Sequence, residues 1–291
     1  MPTLGLDLGG TKLLAGVVEG DGTVLVRDRR RIAGLPLGEL LDLVVDVVAG
    51  LGDGLQVGVG VPALLDRRTG VAVYCNHLPF GGVAVADVLG ERLARPVVVD
   101  NDATCAVLAE WRLGAARGRD HVALLTLGTG IGGGLVLDGR VYRGAVGAAA
   151  ELGHMPVDLD GPPCFGGCPG RGCLEALCSG SALARDAAAL LGRPTTGEEI
   201  TELARAGDAV AVNLMQTLGD RLGAGLAGIA MALNPEVIVL GGGVMAAGSL
   251  VLEPARQELR RRALAPSRDV PVVAAQLGEE AGMIGAAFLA A

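Results

Sequence analysis

Apolar residues alternate with small or polar ones over 4–8, break at Gly9-Gly10-Thr11, resume over 13–18, turn at Asp21-Gly22 and continue over 23–26. The same order of events returns further along. A strand pattern over 122–127 meets Gly128-Thr129-Gly130 and Gly132-Gly133-Gly134, resumes over 135–137, turns at Asp138-Gly139 and leaves over 141–142. Period-two runs joined by Gly/Thr turns and D-G hairpins predict strand, turn, strand, hairpin, strand, twice over. The chain therefore reads as an internal duplication, one half starting near 4 and the other near 122. Each half then alternates helices and strands. The first has helices over 37–49, 83–94 and 103–113, with strands over 55–61 and 97–99. The second has a helix over 175–191, a short helix opened by the capping box Thr196 and Glu199, and a long helix over about 208–233. A strand over 237–240 and a helix from about 249 follow. Alternation of this kind defines an α/β protein with a largely wound sheet in each half. The boundary is expected near 114–118. No low-complexity linker separates the halves, so they are expected to pack as lobes around a cleft.

Composition changes this picture in three places. Hydrophobic residues make up 51% of the 291, yet aromatics only 2%, so the core must be built from Val, Leu and Ala. The net charge of −8 argues against a nucleic-acid surface, which needs clustered cations. No apolar run approaches the roughly 20 residues that span a bilayer. The opening M-P-T-L-G-L-D has no basic n-region, so no secreted precursor is expected and a cytoplasmic location is. In that setting six cysteines read as metal ligands and core residues rather than disulfides.

The glycine turns carry candidate chemistry. D-L-G-G-T-K puts Asp7 at a strand end and follows it with Gly9, Gly10, Thr11 and Lys12. Glycines let backbone N–H groups face a phosphate, Thr11 adds a hydroxyl donor, and Asp7 suits Mg²⁺ held through water. The plainer reading is an ordinary hairpin turn. Of 24 basic residues Lys12 is the single lysine, which codon bias toward arginine explains as well as a phosphate contact does. Gly128, Thr129 and Gly130 repeat the logic in the second half, so the two turns could grip a triphosphate from both sides. Gly241, Gly242 and Gly243 lie between a strand and a helix, as nucleotide-contacting turns do. None of the three has P-loop or G-x-G-x-x-G spacing.

V-V-V-D-N-D-A-T ends a strand with Asp100, Asn101 and Asp102 and starts a helix. Asn or Asp there is a preferred N-cap. A carboxylate at the carboxyl end of a strand also sits where α/β lobes bind substrates, and Asp102 suits a general base for an alcohol. Between Glu151 and Glu175, His154, Cys164, Cys168 and Cys173 form the ligand set of a closed tetrahedral zinc site. The alternative is a group of buried free cysteines. The loop around them, G-P-P-C-F-G-G-C-P-G-R-G-C, has no core-forming pattern, so a structural metal is its expected organiser. Cys75, Cys105 and Cys178 lie in apolar contexts and are expected to be inert. His77 and His121 read as turn and strand-edge residues.

These motifs, in this order and across essentially the whole chain, resemble the ROK (repressor, ORF, kinase) family, in particular its glucokinase-like sugar kinases. The resemblance runs through D-L-G-G-T-K, V-D-N-D-A, L-G-T-G-I-G-G-G, E-L-G-H, G-C-L-E and N-P-E-V-I-V-L-G-G-G. It implies an actin-like, ribonuclease-H-like two-lobed ATPase fold with duplicated halves and a cleft. The expected lobes are 1–114 with a C-terminal helix at 280–291, and 115–279 with the zinc loop. It implies ATP, Mg²⁺ and structural Zn²⁺, with phosphoryl transfer to a hexose, glucose first. Asp102 would be the base. Asn76, Asn101, Asp102, Glu151, His154 and Glu175 would bind the sugar, and His154 would also ligate zinc with Cys164, Cys168 and Cys173. Fructose, mannose or an N-acetylhexosamine as acceptor, polyphosphate as donor, and a silent sugar sensor are the alternatives. A homodimer or tetramer is implied, and with the chain opening at the phosphate strand and carrying net negative charge, the family's repressor role, which needs an N-terminal helix-turn-helix, is not expected. Three features depart from the family pattern. Cys164-Phe-Gly-Gly-Cys168 replaces C-x-C, which leaves the first ligand open; Val61-Pro62-Ala63 replaces V-P-G; and Asn76-His77-Leu78 replaces Asn-Leu.

Overall fold

A computed structural model describes residues 1–52 and 54–291. By its internal contacts the chain divides into two units: Met1–Gly118 with Gly134–Ala150 and Gln276–Ala291, and Arg119–Gly133 with Glu151–Ala275. The first unit regains the chain at 134–150, a return that no composition change marks.

In the first unit the duplicated pattern folds as β1 (Thr3–Leu8), β2 (Lys12–Val18) and β3 (Val24–Arg31), followed by α1 (Leu37–Leu51), β4 (Val57–Val61) and the small hairpin β5 (Leu64–Asp66) and β6 (Val71–Tyr74). Then come α2 (Val85–Leu93), β7 (Val97–Asn101) and α3 (Asp102–Arg112). The sheet order is β3-β2-β1-β4-β7, antiparallel across β1–β3 and parallel from β1 through β4 to β7. Leu4, Leu6 and Leu8 of β1 are fully buried because β1 is the central strand, with Val57 and Val59 of β4 beside them. The expected end of β3 at 26 falls short. The strand runs on through Arg27–Arg31, its edge position leaving the long side chains in solvent while the backbone stays paired to β2.

The second pattern gives β8 (Val122–Leu127), β9 (Ile131–Leu137) and β10 (Arg140–Val141), then α4 (Leu174–Cys178), α5 (Gly180–Leu191), α6 (Gly197–Arg205), α7 (Ala209–Leu233), β11 (Val237–Gly241), α8 (Ser249–Arg262) and β12 (Val272–Ala274). Its sheet order, β10-β9-β8-β11-β12, reproduces the first sheet position by position. The helix expected over 175–191 is broken at Ser179. That residue is extended and buried, and its Oγ accepts from the Ala182 N–H at 3.1 Å, so it caps a new helix. The Gly180 N–H is drawn to the Gly128 carbonyl at 2.8 Å, a contact that local propensity cannot foresee.

The C-terminal helix α9 (Ala281–Leu289) belongs to the first unit and lies against α3, β1 and β4. Its closeness is set by glycine. A Cβ on Gly58 would stand 1.8 Å from the Ala286 carbonyl oxygen, and one on Gly285 would stand 1.8 Å from that of Cys105. Larger side chains at either position would push the helix off the sheet. α7 packs on α8 in the same manner through Gly223, whose added Cβ would meet the Ala255 oxygen at 2.5 Å. Among the described residues no helix is long and apolar enough to cross a membrane.

Candidate active site

Asp102 is the first residue of α3, and the cap is its neighbour. Asn101 accepts from the Thr104 N–H at 3.0 Å and its amide reaches the Ala63 carbonyl at 3.4 Å. Capping by Asn101 leaves the Asp102 carboxylate to the helix end, where it accepts from the Ala103 N–H at 2.8 Å. Burial raises the Asp102 pKa above the ordinary aspartate range, opposed by the Ala103 N–H, its own N–H and the charge of His77. Asp100, the third polar residue of the motif, faces another way. It is buried, accepts from Arg143 Nε at 2.6 Å, and has Arg67 at 3.7 Å. Its work is to tie the 143–150 segment to β7, a pairing with no local signal in the sequence.

Asp7, one residue before the end of β1, lies beside this group. Its carboxyl is pushed up to about 7, first by burial, then by the Asp102 charge, with Lys12 opposing. α9 starts against it, since a Cβ on Gly282 would sit 2.5 Å from Asp7 Oδ2. The turn after Asp7 is closed by the Gly9 N–H to the Lys12 carbonyl at 2.9 Å. The ammonium of Lys12 is engaged by Glu279 at 2.9 Å, and Arg29 shares that carboxylate at 2.7 Å. Asn76 is exposed, with its amide bonded to the Tyr74 hydroxyl, a partner that sequence reasoning missed. Glu110 was also missed. It is fully buried within α3 and accepts from the N–H groups of Ala115, Gln276 and Leu277 at 2.8, 2.9 and 2.8 Å.

In the second unit the ligand atoms of His154, Cys164, Cys168 and Cys173 all lie within 4.8 Å of one another. Cys164 therefore belongs to the cluster despite its altered spacing, with its Sγ 3.5 Å from His154 Nδ1. The loop is drawn together by bridges from Pro156 to Cys173 and from Pro163 to Arg171, while Phe165 lies under Arg185 of α5 at 5.8 Å. Burial and the neighbouring thiols push the Cys164 thiol well up, and burial raises that of Cys173. Three thiols and an imidazole crowded this closely fit a divalent ion bound through thiolate and imidazole ligands. With Nδ1 on the cysteine side, His154 turns Nε2 toward Glu151, 3.9 Å away.

Glu175 connects this loop to the second Gly/Thr turn. Its Oε2 accepts from the Ile131 N–H at 2.7 Å, and a Cβ on Gly130 would meet that oxygen at 2.3 Å. Its Oε1 lies 4.0 Å from Cys164 Sγ. The turn itself is held to the start of α5 by Gly180 to Gly128 and by Ser181 to Thr129. Gly242, at a φ of +87°, folds over the end of β8 so closely that a Cβ would stand 2.4 Å from the Leu127 oxygen.

This is the architecture of the actin-like α/β ATPases, with two sheets of one topology. The ROK family model matches residues 3–291, and the chain belongs to the ROK family. It is 34% identical to a glucokinase of Streptomyces coelicolor over 99% of this chain and 97% of the relative. An N-acetyl-D-glucosamine kinase of Photobacterium profundum is 32% identical, with 98% of each chain covered. Among solved structures, a ROK glucokinase from Streptomyces griseus in complex with glucose and AMPPNP superposes with a TM-score of 0.88 at 37% identity, covering 100% of this chain and 99% of that one.

Proposed function

We propose that this chain is an ATP-dependent sugar kinase that phosphorylates a hexose, glucose first, with Asp102 as the general base. The observation that carries the reading is the placement of Asp102. Asn101 does the capping, so the adjacent carboxylate is left at the carboxyl end of the sheet with a pKa raised toward the working range of a base. Full-length similarity to a glucokinase and to a glucose complex supports the acceptor. The relative acting on N-acetyl-D-glucosamine supports an N-acetylhexosamine as the second candidate.

In this reading Asp102 takes the proton of the sugar hydroxyl as its oxygen attacks the terminal phosphorus. Glu151, His154, Glu175, Asn76 and Asn101 hold the other hydroxyls. His154 is suited to two duties: Nδ1 faces the thiolates, and Nε2 remains to donate to Glu151 or a sugar oxygen. Bound zinc would fix the loop that aims His154 and Glu175, and with four protein ligands it has no open position for chemistry. Asp7, whose carboxyl is pushed up by burial and by the neighbouring Asp102 charge, suits a divalent cation held through water, and Mg²⁺ there would neutralise developing phosphate charge. The Gly9–Lys12 and Gly128–Gly130 turns, with Gly241–Gly243, would hold the phosphates and nucleotide.

The test is ADP release with Mg-ATP over a panel of glucose, mannose, fructose and N-acetylated hexosamines, with Asp102→Asn alongside. Turnover is expected on glucose, falling about 10³-fold or more in the variant while sugar binding by calorimetry survives. Turnover that ignores the substitution would remove Asp102 from its role.

A further inference from the structure

His77 is unused in the reading above, and the structure gives it a position that a plain turn residue need not have. Its side chain lies on the first Gly/Thr turn: a Cβ added to Gly10 would stand 3.0 Å from His77 Cβ, 3.2 Å from Cγ and 3.6 Å from Nδ1. The residue is exposed, so the ring is not filling a core. The loop that carries it is anchored on both sides. Cys75 Sγ donates to the Pro62 carbonyl at 3.5 Å, Tyr74 and Asn76 are hydrogen-bonded to each other, and Leu78 and Phe80 are buried. The ring is therefore set over the turn by a fixed backbone. From α3 the charge of Asp102 faces it, while Asp7 and Lys12 flank the turn it covers, with Lys12 already committed to Glu279.

In the kinase reading this puts a donor on the rim of a phosphate-holding turn, beside the base. We infer that His77 contacts the terminal phosphoryl group of the donor, its imidazole N–H donating a hydrogen bond to a phosphoryl oxygen during transfer. This rests on the kinase reading. In the step, the sugar oxygen forms a bond to the terminal phosphorus. The bond from that phosphorus to the bridging oxygen breaks, and its electron pair leaves with ADP. The hydroxyl proton goes to Asp102, and His77 keeps its own. The contact strengthens as charge gathers on the equatorial oxygens, so it favours the transition state over the bound ground state.

The experiment compares wild type, His77→Leu and His77→Gln. Calorimetry with Mg-ADP and Mg-AMPPNP separates a terminal-phosphate contact from general nucleotide binding. His77→Leu should weaken AMPPNP about tenfold and leave ADP within about twofold, while kcat falls about 10- to 100-fold. His77→Gln, which retains a donor, should recover most of both. An unchanged AMPPNP-to-ADP affinity ratio in His77→Leu overturns the inference, as does an equal loss for both nucleotides. The ratio is read without a sugar. If wild type turns over no hexose, the acceptor reading falls, yet a loss confined to AMPPNP still supports the contact. Thermal melting monitors folding, and His77→Ala replaces His77→Leu if the latter melts early.

Discussion

The two Gly/Thr turns begin as copies and end as different devices. Each follows the central strand of a sheet of the same order, and each presents half-buried glycines with an exposed threonine. Counting from the strand ends, Asp7 corresponds to Thr126 and Lys12 to Ile131. The first turn thus has a partly buried acid below it, an ammonium after it and His77 against it; it is closed by the Gly9 N–H on the Lys12 carbonyl, as the second is by Gly128 on Gly130, and its Thr11 carbonyl accepts from the Ile32 N–H. The second has no charge of its own. It is held by Glu175 on the Ile131 N–H and by two N–H groups at the start of α5. Duplication supplied the same backbone twice, and divergence gave one copy charged side chains and the other a scaffold.

That contrast can be broken in graded steps. Chelation of the proposed zinc, or replacing Cys168 with Ser, should act on the second copy, because Glu175 is the link from the cysteine loop to its turn. Hexose affinity should fall at least tenfold, read by calorimetry, with ADP affinity changed less; equal losses would break the proposed link. Gly130→Ala is next. Its Cβ displaces the Glu175 carboxylate, so hexose KM should rise several-fold, whereas Gly128→Ala, with no protein atom near its Cβ, should leave hexose KM at saturating ATP close to wild type. If the two variants behave alike, the Glu175 contact is not what distinguishes this turn.

The acid under the first turn gives a stability signature that the second lacks. The Asp7 carboxyl has a folded pKa of about 7 against an ordinary 3.8, so the folded state holds its proton more tightly. Its contribution is fully present below about 4 and is lost as pH rises through 7. The melting temperature of ligand-free protein should therefore decline over that window, and Asp7→Asn should flatten the decline. A profile that Asp7→Asn leaves unchanged would show that another group sets it. The smallest effect is expected at Tyr74→Phe, which frees the Asn76 amide and should raise hexose KM about two- to fivefold with kcat unchanged.

Much of this was legible before any coordinates. Strand pairs around the glycine turns, the D-G hairpins, the cap at the start of α3 and the His-Cys₃ cluster are local patterns, and local patterns report backbone preference and ligand chemistry directly. The break at Ser179 was missed because the apolar run continues across Ser179-Gly180-Ser181; that local cap signal is made decisive by the Gly128 carbonyl, about fifty residues upstream, which takes the Gly180 N–H. Nor was the span of β3 beyond 26, since Arg27–Arg31 looks like a solvated charge run until β2 offers it a partner.

By itself the sequence determined the α/β class, the duplication, the acids at the strand ends and the residues of the His-Cys₃ cluster, since periodicity, turn chemistry and residue type act over a few neighbours. Tertiary structure alone decided that Asp100 pairs with Arg143 while Asn101 caps α3, that Cys164 joins the cluster, and that His77 lies on Gly10. Those outcomes depend on groups brought together from distant parts of the chain, whose positions are fixed by packing of the whole unit and not by any stretch within it.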